Sequence, residues 1–140
     1  MFALVFTVDE KKYGLDVEDI ISVEPAFDVE ADVLHPMPFV GWRDYQGLYI
    51  PTFDLNYAIN GSCVKHLFGT RHIIANCQFG GKKIKIVLVA QGLESVSNFT
   101  DDLISGNPED VYRTAKNNEY ESVVLVNITE ILKEVLFDYE

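Results

Sequence analysis

Basic residues are scarce in this chain. Eleven Lys and Arg stand against 22 Asp and Glu in 140 residues, a formal net charge of −11. That balance argues against nucleic-acid binding, which needs clustered cations to neutralise phosphates, and against an anionic membrane surface. Protein partners should instead be basic at the contact or be met through an apolar patch. Cysteine is nearly absent too. Cys63 and Cys77 cannot make a disulfide framework, and two reduced thiols fit a cytoplasmic protein. No apolar run approaches the roughly 20 residues that cross a bilayer, so no membrane insertion is expected. The apolar start, Met1 to Val8, stops at Asp9 with neither basic leader nor small-residue cleavage site. It predicts a strand, not a signal peptide.

Signatures of chemistry are missing as well. No Gly-x-Ser-x-Gly elbow is present. Gly80-Gly81-Lys82-Lys83 lacks the spacing of a phosphate loop and precedes a strand pattern where a helix is required, so it reads as a turn. Cys63, His66, His72 and Cys77 lack the paired knuckles of a structural zinc site. His72 and Cys77, five apart in one strand pattern, point to opposite faces, which leaves Cys77 as a small buried hydrophobe and no metal expected. Among the acids, Asp54 between Phe53 and Leu55 is the most isolated. A strand-end aspartate is usually a structural acceptor of backbone N–H groups. An enzyme pairing Asp54 with His35 or His72 is the weakest functional reading.

What the chain does have is 48 % hydrophobic and 12 % aromatic residues, enough for one folded domain with a sizeable core. The stretch from Gly41 to Leu55 organises it. Strand-forming residues on both sides of Gln46-Gly47 predict a hairpin, with Pro51 placing the returning strand at an edge or a bend. Leu4 to Val8, a polar turn and Tyr13 to Leu15 form another hairpin pattern. Val17 to Val23 fits a helical turn or a strand, and Pro25, Pro36 and Pro38 break up the loop that follows. Asn56 to Ser62 reads as a loop or a single turn. Residues 71–79 and 84–89 form a third hairpin around Gly80-Gly81, and Val111 to Ala115 with Ser122 to Val126 form a fourth. One helix is predicted: Asn127 is the N-cap, Glu130 has capping-box spacing, and Ile128, Ile131, Leu132, Val135 and Leu136 make one apolar stripe. The fold class expected is mostly β.

Trp42, Arg43, Asp44, Tyr45 and Gln46 are the candidate partner-binding residues, because aromatics and Arg are enriched at interfaces. The sequence leaves open which face of the hairpin is wet. Gly41, Gly47, Pro51, Asp54 and Leu55 are its structural residues.

Several of these segments, in order, resemble the CheW-like domain of bacterial chemotaxis. The family's apolar first strand and Tyr/Phe-x-Ile hairpin are similar to Leu4-Val5-Phe6 and Tyr13-Gly14-Leu15. Its Pro-Phe-Val, Gly-Val-Ile-Asn-Leu-Arg-Gly and Ile-Pro-x-x-Asp-Leu motifs resemble residues 38–40, 41–47 and 50–55. Its later Gly-Gly-Lys-Lys hairpin resembles 73–89, and its closing strand and helix resemble 123–132. The resemblance implies two five-stranded SH3-like barrels, roughly residues 10–62 and 66–126, with the first strand and the C-terminal helix packing across them. It implies no enzymatic activity and no cofactor. The implied role is an adaptor that binds a chemoreceptor signalling tip and the regulatory domain of the histidine kinase CheA. The family's Asn-Leu-Arg-Gly is here Asp44-Tyr45-Gln46-Gly47, so the arginine associated with receptor contact is replaced by Gln46 and receptor binding is expected to diverge. Asp16 and Ala90 also depart from the usual proline and aspartate. The alternative is a sensory or small-molecule-binding β-barrel on the same fold.

Overall fold

The structure is a computed structural model that describes residues 1–65 and 68–137, without the Phe137 side chain. Its strands run β1 Phe2–Val8, β2 Lys11–Asp16, β3 Ile20–Pro25, β4 Glu30–Ala31, β5 Phe39–Tyr45 and β6 Leu48–Asp54. Helix α1 Leu55–Asn60 follows, then β7 Arg71–Phe79, β8 Lys82–Ala90, β9 Leu93–Asn98, β10 Ile104–Ser105, β11 Tyr112–Lys116 and β12 Ser122–Val126. Helices α2 Ile128–Ile131 and α3 Lys133–Phe137 close the chain. No helix among the described residues is long and apolar enough to cross a membrane.

The strands form two six-stranded sheets, ordered β10-β11-β12-β2-β1-β9 and β3-β7-β8-β6-β5-β4. Each has five substantial strands and one two-residue strand at an edge, the mostly β, two-barrel architecture expected. The boundary expected at residues 62–66 does not separate the sheets, however. β2 joins the sheet of the C-terminal strands through a parallel pairing with β12 (Val124 opposite Tyr13), and β8 pairs in parallel with β6 (Thr52 opposite Val87). Local hairpin signals cannot show such pairings, because they join segments far apart in sequence.

Both faces of each sheet are buried, so the central strands read as apolar runs without clean alternation. Phe6, Leu15, Phe53, Ile73, Leu88 and Leu132 belong to the core shared between the sheets. Ala3, Val5, Phe99, Ala115, Val123 and Leu125 fill the other side of the first sheet, and Ile50, Ile74 and Val87 that of the second. His72 and Cys77 do face opposite ways. Cys77 lies in the shared core, where burial first, then the nearby Asp19 charge, pushes its thiol up to about 12.

Pro51 is not at a free edge, as β6 lies inside its sheet. The parallel ladder with β8 begins only at Thr52, so the missing proline N–H falls just outside it. Residues 17–23 hold both predicted alternatives, a 3₁₀ turn at Val17–Asp19 and then β3. Of the loop or single turn expected after Asp54, the structure forms the turn, as the short helix α1. Its N-cap is Asp54 itself, 4 % exposed, whose carboxylate accepts the Tyr57 N–H at 3.0 Å and the Val64 N–H at 2.8 Å. Asp54→Ala strands both buried donors and should cost about 2 kcal/mol in denaturant unfolding, with Asp54→Asn costing less.

The single C-terminal helix expected is broken at Leu132 (φ −101°, ψ 1°). Ile128, Leu132 and Leu136 are all buried at spacings of four. In a straight helix each would swing about 40° from the last, a drift that stays within one apolar stripe. Asn127 caps it as predicted, accepting the Glu130 N–H at 3.1 Å.

Candidate functional site

The central hairpin turns at Gln46 (φ 52°) and Gly47 (φ 86°), two successive left-handed residues that give the tight turn matching strand twist. The Asp44 carboxylate accepts the Gly47 N–H at 3.0 Å and braces it. Asp44 and Gln46 are exposed. On the returning strand, Leu48 and Tyr49 are 62 % and 64 % exposed. Neither is one of the five partner-binding candidates, because strand alternation alone cannot tell which residues at a hairpin tip lose their cover.

The other three candidates lie deeper. Tyr45 is half-buried against Ile50, Ile74 and Val87. Trp42 is half-buried and packs edge-on against Phe39, with ring centroids 5.6 Å apart. Arg43 is 6 % exposed. Its guanidinium donates to Glu24 Oε1 at 2.5 Å, lies 3.4 Å from His72 Nδ1 and sits under the Phe27 ring at 5.2 Å. Bonding from Arg43 holds the Glu24 carboxyl below its ordinary range. Nothing in the sequence joined these four residues, since β3, β5, β7 and the loop after β3 meet only in the folded sheet.

That loop forms a strap across the sheet edge. Glu30 and Ala31 pair with Trp42 and Gly41, the Asp32 N–H donates to the Val40 carbonyl at 3.2 Å, and the Phe27 N–H reaches His72 Nδ1 at 3.4 Å. Gly41 permits the approach, because a β-carbon there would lie 2.1 Å from the Glu30 carbonyl oxygen. A cavity of about 320 Å³ remains beneath the strap, lined by Ala26, Phe27, Val29, Val40, His72 and Val89 among others.

Compared with solved structures, the chain is similar to the scaffolding protein TtCheW from Thermoanaerobacter tengcongensis, with a TM-score of 0.79 and 19 % identity over 94 % of this chain and 92 % of that one. The fold is that of CheW. No protein-family model matches the chain, and no curated protein matches it. On this CheW fold Asp54 and His72 both line the cavity beneath the strap, whereas His35, Cys63 and Cys77 do not. Asp54 is engaged by two backbone donors, and His35 bonds Asp32 at 3.0 Å. Cys63 is exposed while Cys77 is buried. His66 lies outside the described residues, and no metal-holding group of three His, Cys, Asp or Glu occurs among those described.

Proposed function

We propose that the chain is a cytoplasmic, non-catalytic adaptor of a chemotaxis-type array, coupling chemoreceptors to the histidine kinase CheA. The observation that carries this is the match to a scaffolding protein over nearly the full length of both chains. The hairpin tip is the receptor-side contact. Asp44, Gln46, Leu48 and Tyr49 present its surface, and Trp42, Arg43 and Tyr45 hold the hairpin from behind. Exposed apolar anchors beside a polar turn are what a helical receptor tip requires, with affinity from the apolar area and selectivity from the charges around it. With Gln46 in place of the family's arginine, the contact relies on Leu48 and Tyr49 more than on an ion pair. The ligand-binding alternative gains less support, because Ala3, Val5 and Phe99 fill one barrel interior and the cavity beside Ile74 and Val87 in the other, about 320 Å³, is at the small end for a small-molecule site.

Calorimetric titration against the CheA regulatory domain and a receptor signalling-tip fragment from the same organism tests the proposal. Binding to neither overturns it. Leu48→Ala with Tyr49→Ala should leave stability within about 0.5 kcal/mol, as both side chains are exposed, yet weaken the receptor fragment about tenfold. An unchanged affinity would move the contact off the tip.

A further inference from the structure

The strap has features that the hairpin-tip contact does not use. Between Lys12 and Arg43 the chain contains no Lys or Arg but seven acids, Asp16, Glu18, Asp19, Glu24, Asp28, Glu30 and Asp32. Arg43, which ends this stretch, is already committed to Glu24 and buried. The strap lies in the middle of the acidic stretch and carries exposed apolar side chains. Phe27, Val33 and Leu34 are 59 %, 92 % and 88 % exposed. Asp28 and Glu30, between them in sequence, are exposed too.

We propose that the strap, residues 26–34, is a docking face for a basic amphipathic segment of a partner protein, which seats one apolar side chain in the cavity beneath it. Three physical features converge. The exposed Asp28 and Glu30 attract Lys and Arg and raise the rate of encounter, while a second copy of this chain, with its own charge of −11, is repelled. Phe27, Val33 and Leu34 offer apolar area beside those charges. The cavity, about 320 Å³ with six of its nine lining residues apolar, takes the anchor. The β4–β5 pairing and the Phe27–Arg43 contact hold the strap in place beforehand, so little ordering cost falls on binding. Gly41 and Trp42, which pair with the strap, are about five residues along β5 from the turn. The strap and the hairpin tip are therefore separate surfaces, and this inference does not depend on the adaptor reading.

The probe is a synthetic amidated helix of about 16 residues with Leu on one face, Lys on the other and a central Trp, set against the same peptide with Glu for Lys. Calorimetry should show one-to-one binding of the Lys peptide alone, weakened about tenfold as salt rises from about 0.05 to about 0.3 M. Amide shifts should concentrate in residues 24–35, 40–43 and 72. Val33→Ser with Leu34→Ser, at positions too exposed to affect folding, should weaken binding about tenfold, and Asp28→Asn with Glu30→Gln about fivefold. Shifts spread equally over distant acids such as Asp101 and Asp102 would overturn the proposal. So would strap variants that bind like the native chain, or dimerisation through the strap. A strap that bound only uncharged small molecules would do the same.

Discussion

Gly41→Ala should lower stability by about 3 kcal/mol and the thermal midpoint by about 10 °C. The added β-carbon would meet the Glu30 carbonyl oxygen at 2.1 Å, its carbon at 2.9 Å and the Ala31 Cα at 3.0 Å, all backbone atoms that cannot rotate away. Its φ of +148° is also one that side-chain-bearing residues rarely adopt. To relieve the clash the strap must leave β5, which gives up the β4 pairing and uncovers Arg43. Gly47→Ala provides the contrast. Its β-carbon would meet nothing within 4 Å, so only the positive φ of 86° is penalised and about 1 kcal/mol is expected. Equal losses from the two variants would show that the strap is not packed as described.

Arg43→Ala should cost about 2 kcal/mol, because it removes the buried member of a pair whose other side chain, Glu24, is 30 % exposed, and leaves Glu24 and His72 facing each other without the cation. Arg43 Nε is buried without a partner, which keeps the value of the network below that of a fully satisfied one. Replacing both members, Arg43→Met with Glu24→Leu, should recover most of the loss, since no charge is then left alone. The pH dependence has a definite sign. Glu24 titrates below its ordinary value of 4.5 when folded, chiefly through the Arg43 hydrogen bond. Its contribution is therefore complete above about pH 4.5 and is lost as pH falls through the lower folded value. In Arg43→Ala the depression disappears, and unfolding free energy should fall less steeply below pH 4.5 than in the native chain. Parallel acid profiles for the two proteins would show that the pair does not act on stability.

Much of this architecture was legible in the sequence because local chemistry specifies it. Gln46-Gly47 and Gly80-Gly81 mark their turns by the residues such turns need, and both pairs adopt positive φ. Asn127 and Asp54 both start helices with side chains that accept backbone N–H groups, but only Asn127 precedes an apolar stripe of helical spacing that marks it as a cap. β9, Leu-Glu-Ser-Val-Ser-Asn, escaped notice because an exposed edge strand needs no apolar alternation. The hairpin that carries the candidate residues was legible, but its exposed face was not. Trp42 to Gln46 do form one hairpin arm and its turn, yet Arg43 is turned inward and the exposed apolar pair is Leu48 and Tyr49.

By itself the sequence determined the strand-and-turn character, the acidic surface, the capped C-terminal helix and the resemblance to CheW-like domains, since each depends on neighbouring residues or on composition. Tertiary structure alone decided which sheet each strand joins, through the parallel pairings of β2 with β12 and β6 with β8. It also decided that Glu24, Arg43, His72 and Phe27 meet. Those four lie on three separate segments, around residues 24–27, 43 and 72, and their contact depends on how the sheet curls, which no local pattern of side chains encodes.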